Sequence, residues 1–145
     1  MDMDQAELQA ILEEFVTEAE EGLEELEQGL ISLESISENG ETDLETIDII
    51  FRTLHTLKGG AGFLGLSIMQ ELAHAGENLL DEMRASKVQA TTEVMNALFT
   101  TNDLLKDLIS AVKNQEDDRK IEVSEITAVL KKLALGNTTI EEPKA

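Results

Sequence analysis

Only two histidines occur in the 145 residues, and both stand among side chains that can put an imidazole to work. The first lies in the run His55-Thr56-Leu57-Lys58-Gly59-Gly60-Ala61-Gly62-Phe63-Leu64-Gly65. Glycine costs about 1 kcal/mol relative to alanine inside a helix, so three glycines directly after a helical pattern call for a reason. On a helix Gly59 and Gly62 stand at i+4 and i+7 from His55 and share its face. That pattern leaves the imidazole on a surface with little beside it. Lys58, at i+3, brings a positive charge within reach. Leu54 belongs to the apolar stripe, and His55 is rotated about 100° from it, so the ring is expected outside the core. An exposed neutral imidazole is a competent nucleophile near physiological pH. A phosphate-binding loop is excluded, because no strand precedes the glycines and no Lys-Ser/Thr pair follows at the required spacing.

The second cluster is Glu71-Leu72-Ala73-His74-Ala75-Gly76-Glu77-Asn78. His74 and Glu77 are i, i+3 neighbours. If the helices flanking Gly65 run antiparallel, His55 lies ten residues before the turn and Glu77 twelve after it. At about 1.5 Å per residue the two sit within one helical turn of the same level. A carboxylate there accepts the Nδ1–H of His55 and leaves Nε2 free to attack, the base–orienter logic of catalytic triads. Glu71-x-x-His74 also has the spacing found in di-iron helix bundles, but those need a second such motif, and Arg52 stands three residues before His55. No metal site is expected.

Helical elements must position these groups. Leu8, Leu12, Phe15, Ala19, Leu23, Leu26, Leu30 and Leu33 form one stripe on a long helix, with Asp4 and Glu7 as its capping signal and Asn39-Gly40 as its end. Thr42-Asp43-Leu44-Glu45 spells a capping box for a second helix along Ile47, Ile50, Phe51, Leu54, Leu57 and Ala61. Ser67 with Gln70 spells another, opening a third helix along Met69, Leu72, Ala73, Gly76, Leu80 and Met83. Ala90-Thr91-Thr92 starts a fourth, with Val94, Leu98, Leu105, Leu108 and Val112 inward. Asn114–Lys120 reads as a loop. Ser124 caps a fifth, through Ile126, Val129, Leu130 and Leu133, which Gly136 closes. No segment alternates with period two. The fold expected is all-α: an antiparallel up-down four-helix bundle, with a short fifth C-terminal helix on one end or side. Residues 1–135 are read as that bundle and 136–145 as the start of a flexible linker.

The charge bounds the function. Thirty-one acidic and 11 basic side chains give a formal charge of −20, which argues against nucleic acid and anionic membrane. Residues 1–50 carry 17 acids and no Lys or Arg. Residues 51–85 carry four acids against three bases, a sum of −1 that lets an anionic group approach. The absence of cysteine excludes disulfides, thiolate metal sites and a cysteine nucleophile, and fits a reducing compartment. The acidic start lacks the basic and apolar regions of a secretory signal, and no apolar run approaches the roughly 18 residues of a membrane span. A cytoplasmic domain, monomeric and without membrane insertion, is expected.

The string His55-x-x-Lys58-Gly59-Gly60-Ala61-Gly62, followed nineteen residues after the first histidine by His74-x-x-Glu77-Asn78-Leu79-Leu80-Asp81, closely resembles the histidine phosphotransfer domain of the CheA chemotaxis kinases. The resemblance covers residues 4 to about 134. It implies that His55 is the phosphoacceptor, taking the γ-phosphoryl group of ATP from the kinase's catalytic domain and passing it to an aspartate of a chemotaxis-type response regulator. It also implies that Lys58 and His74 line the surroundings of His55, that Glu77 hydrogen-bonds its ring, and that Gly59 and Gly62 mark the partner-docking face. Such a domain has no turnover by itself and binds no cofactor; ATP and Mg²⁺ belong to its partners. The alternatives are a stand-alone or hybrid-kinase phosphotransfer protein of another phosphorelay, and a helical adaptor that is never phosphorylated.

Overall fold

Asp4 opens the first helix by accepting the backbone N–H of Glu7, whose own carboxylate accepts the N–H of Asp4. This reciprocal cap satisfies two of the N–H groups that every helix start leaves unpaired. In the computed structural model, which describes residues 4–136, the helix it opens is α1 (Gln5–Ser37). It is followed by α2 (Leu44–Phe63), α3 (Ser67–Arg84), α4 (Thr92–Lys113), a 3₁₀ turn (Asp118–Lys120) and α5 (Ser124–Ala134). No strand occurs among the described residues. The linker expected over 136–145 lies, past Gly136, outside them.

Cross-helix ion pairs give the directions. Glu20 meets Lys113 at 3.2 Å and Glu27 meets Lys106, so seven residues forward on α1 match seven backward on α4. Asp48–Arg84 at 3.0 Å and Lys58–Glu77 at 2.7 Å pair α2 antiparallel to α3. Each of α1–α4 packs on its neighbours in chain order, and α4 closes the ring on α1; α5 lies along α3 and α4. The stripes expected from the sequence face inward: Leu23, Leu30, Leu33, Ile47, Ile50, Leu54, Leu72, Leu80, Leu105, Leu130 and Leu133 are essentially inaccessible. Burial of each such side chain stabilises the fold by about 1.5–3 kcal/mol.

Several expected details are corrected. Leu8 is 44% exposed. Phe15 packs at Gly60 and Glu20 pairs with Lys113, so Leu8 projects beyond the ends of both α2 and α4. The cap of α2 is Asp43, accepting the N–H of Thr46 at 3.2 Å, and not Thr42 with Glu45. No side chain caps α3: Leu66 holds the cap position, and the Gln70 amide lies against Gly62 instead. Ser124 begins α5 without capping it; the Glu122 carboxylate accepts its N–H at 2.9 Å and its hydroxyl. The loop expected over 114–120 contains the 3₁₀ turn, and Val112 is only half-buried.

Because α2, α4 and α5 all pack on α3, this helix buries most of its circumference, including Ala75, Gly76, Glu77, Leu79 and Leu80. An ionisable side chain is thereby held inside the bundle wall.

Candidate functional site

Leu54 turns into the core, and His55, one residue on, stands 62% exposed on the outer face of α2. Its Nδ1 bonds to Oε2 of Glu77, which α3 presents from a position only 7% exposed. Lys58 Nζ donates to the other carboxylate oxygen, Oε1, at 2.7 Å. A carboxylate accepts and cannot donate, so the bond assigns a proton to Nδ1, and in the neutral ring the lone pair is then on Nε2. The side chain is largely exposed, and Nε2 has no hydrogen-bond partner among the described residues.

Burial would push the Glu77 carboxyl up. The hydrogen bonds and positive charges of Lys58 and His55 outweigh it, and the net result lies below the ordinary value of 4.5. A native value below the unfolded one means that the unfolded chain binds more protons as the pH falls. The contribution of Glu77 to stability is therefore fully present above about pH 4.5 and is lost as the pH drops through its lowered native value. Glu77→Gln should accordingly differ in melting temperature from the wild-type protein at pH 7, with the difference shrinking by pH 3.5. A difference that stays constant across this range would show that the carboxylate charge does not matter to the fold.

The three glycines have three different surroundings. A methyl group on Gly59 would meet nothing within 4 Å. On Gly60 it would lie 2.7 and 2.9 Å from ring carbons of Phe15, so that glycine exists for the close approach of α1. On Gly62 it would lie 2.5 Å from Gln70 Nε2. Gly59 thus lies open as expected, whereas Gly62 is half-buried under an amide that the sequence pattern does not indicate. His74 is exposed one turn before Glu77 and makes no hydrogen bond or ion pair among the described residues. Glu71 is exposed as well, so Glu71-x-x-His74 points out of the bundle. No cluster of three or more potential metal-binding side chains occurs among the described residues.

One further ring meets the imidazole from the side opposite the glycines along α2, and a cation covers that ring. The Phe51 ring lies nearly parallel to that of His55, at 16° and 6.1 Å between centroids. The Arg84 guanidinium sits 3.8 Å above the centre of the Phe51 ring. The i, i+4 spacing of Phe51 and His55 is a signal present in the sequence; nothing there points to Arg84, which comes from the far end of α3. A cleft of about 420 Å³ between α1 and α2, lined by Phe15, Leu23, Thr56 and Leu57 among others, holds no histidine, lysine or arginine.

Comparison with known proteins fits this geometry. The Hpt domain family matches residues 10–115. The chemotaxis protein CheA of Salmonella typhimurium is 39% identical over 128 residues, which are 86% of this chain and 18% of that protein. CheA of Halobacterium salinarum is 39% identical over 122 residues, 82% of this chain and again 18% of that protein. The chain therefore spans about a fifth of the length of these curated relatives. Among solved structures, a histidine phosphotransfer domain of CheA superposes with a TM-score of 0.72 at 34% identity, over 83% of this chain and 89% of that one. The CheA phosphotransferase domain of Thermotoga maritima gives 0.65 at 37% identity, over 70% and 93%. No helix among the described residues is long and apolar enough to cross a membrane.

Proposed function

The chain belongs to the Hpt domain family, and from that membership we propose that it is the phosphocarrier module of a chemotaxis-type histidine kinase, with His55 as the acceptor. The observation that carries this reading is the exposed imidazole whose Nδ1 is held by a buried carboxylate and whose Nε2 is free. The Nε2 lone pair attacks the γ-phosphorus of ATP held by the parent's catalytic domain. The bond from phosphorus to the β,γ-bridging oxygen breaks and ADP leaves. The ring keeps its Nδ1–H and takes a formal positive charge, which faces the Glu77 carboxylate. On the return step an aspartate oxygen of a response regulator attacks the same phosphorus, the N–P bond breaks, and the neutral ring is restored.

Phosphoryl transfer of this kind needs positioning and charge stabilisation more than covalent chemistry from the protein. Lys58 neutralises the second oxygen of Glu77 and keeps a positive charge near the incoming group. Open space at Gly59 leaves room for the partner. We take His74 to line the approach. The bundle itself is read as lacking turnover and holding no cofactor, with ATP and Mg²⁺ on its partners, in the cytoplasm. A parent kinase is favoured over a stand-alone carrier because the CheA relatives extend well beyond the matched segment.

The test is label transfer. The domain, incubated with γ-labelled ATP, Mg²⁺ and a separately supplied kinase core, should acquire one phosphoryl group that is acid-labile and base-stable, as a phosphoramidate is. Adding a response regulator should discharge it. No label would favour the adaptor reading, and an acid-stable adduct would place the phosphoryl group on a hydroxyl side chain and overturn His55 as the acceptor.

A further inference from the structure

Resting on the reading of His55 as acceptor, we infer that Phe51 and Arg84 form a stacked clamp that sets the plane of the His55 ring, Phe51 being a positioning residue for transfer. A terminal ring torsion is broad, and one hydrogen bond at Nδ1 leaves an exposed imidazole free to pivot about that bond. Glu77 therefore fixes which nitrogen is free without fixing where its lone pair points. The near-parallel Phe51 ring, one turn earlier on the same helix, supplies the second constraint. Aromatic pairs with centroids 4.5–7 Å apart attract in offset-stacked arrangements, and 6.1 Å lies in that range.

Phe51 is itself only half-buried, so its own ring needs holding. Arg84 does this from α3, lying over the ring face at 3.8 Å. The guanidinium is held in turn by Asp48 at 3.0 Å and Asp81 at 2.8 Å, each three residues along the chain from a member of the stack. Asp48 also pairs with Arg52 at 3.0 Å. The clamp thus ties the same two helices that the Glu77 contact ties, to a different end: one sets the tautomer, the other the ring plane.

The ring plane matters only when the donor is itself held in place. Near-attack geometry for a bound donor is narrow, and a misplacement of about 1 Å can cost on the order of 10²-fold. A small donor that diffuses freely accepts any ring orientation. The test compares two donors: ATP with the kinase core at saturating domain, and free phosphoramidate. Phe51→Leu should lower the saturating rate with the kinase core about tenfold. Its rate with phosphoramidate should stay within about twofold of wild type, since no bound geometry is at stake. In NMR spectra the His55 ring protons of this variant should lose the ring-current shift from Phe51, and the side chain should average between rotamers. Phe51→Tyr, which keeps the ring, should restore both readouts.

Should Phe51→Leu fail to fold, Arg84→Gln at an exposed position takes its place, with a fall of about threefold and an intermediate spectrum. The role is overturned if the saturating kinase rate stays at wild type, if both donors slow equally, or if the ring remains fixed. Label left in His55→Gln is subtracted as a blank. If the wild-type protein shows no label above that blank with either donor, the acceptor reading itself fails; if the wild type labels and Phe51→Leu matches it, only the clamp does.

Discussion

His55→Gln is expected to accept no phosphoryl group from ATP and the kinase core while remaining a folded bundle. The two halves of this expectation rest on different observations. The side chain stands outside the core at 62% exposure, so its loss opens no cavity. Glu77 keeps its bond to Lys58 at 2.7 Å, so the buried carboxylate does not become an unpaired charge. Losing one charge-assisted hydrogen bond costs up to about 3 kcal/mol, and less where the glutamine amide can donate in its place. Chemically the loss is complete, because an amide nitrogen has no basic lone pair. His74 offers an imidazole without a carboxylate partner among the described residues, and is not expected to substitute. Circular dichroism and a thermal melt beside the label assay test both halves. Normal incorporation in a folded variant would move the acceptor elsewhere.

Gly59 should separate stability from transfer. It lies within α2, its φ is not among the positive ones, and a methyl group there meets open space. Gly59→Ala should therefore stabilise the domain by up to about 1 kcal/mol through helix propensity. Gly59→Leu should keep most of that gain while raising a branched side chain one turn from the imidazole. We expect it to melt no lower than wild type, yet to exchange phosphoryl groups with kinase and response regulator at least about tenfold more slowly, since a docked partner can no longer reach near-attack distance. Gly60→Ala is the contrasting control: its methyl group would press on Phe15, so it should melt lower. A Gly59→Leu protein that melts early would mean that the glycine serves packing. One that transfers at the wild-type rate would mean that partners approach from another side.

The bond between His55 and Glu77 is legible in the sequence because two local regularities combine there. Helical rise is nearly constant, and a short turn near Gly65 forces α2 and α3 antiparallel, so counting residues from the turn brings both to one level. The same counting does not say that Glu77 is buried. That depends on α4 and α5 also packing on α3, which no spacing within α3 reveals. Nor does it find Arg84, whose place over Phe51 depends on the rotation of α3 about its own axis. Caps are less legible than stripes. Asp43 takes the role that Thr42 could fill and Glu122 the one expected of Ser124, because adjacent side chains can each accept a backbone N–H, whereas at α3 no side chain caps at all.

By itself, then, the sequence determined the helices, their inward faces, the exposure of His55 and the absence of a helix-length apolar span. The last follows from the length of the apolar runs and the others from the 3.6-residue repeat, both properties of neighbouring residues along one chain. Tertiary structure alone decided what covers Gly62, how far Leu8 projects past its neighbours, how deeply Glu77 is buried and which cation lies over the ring beside the imidazole. Those depend on the register and rotation of one helix against another. Register is chosen by the fit of the whole core, so it belongs to no segment that can be read alone.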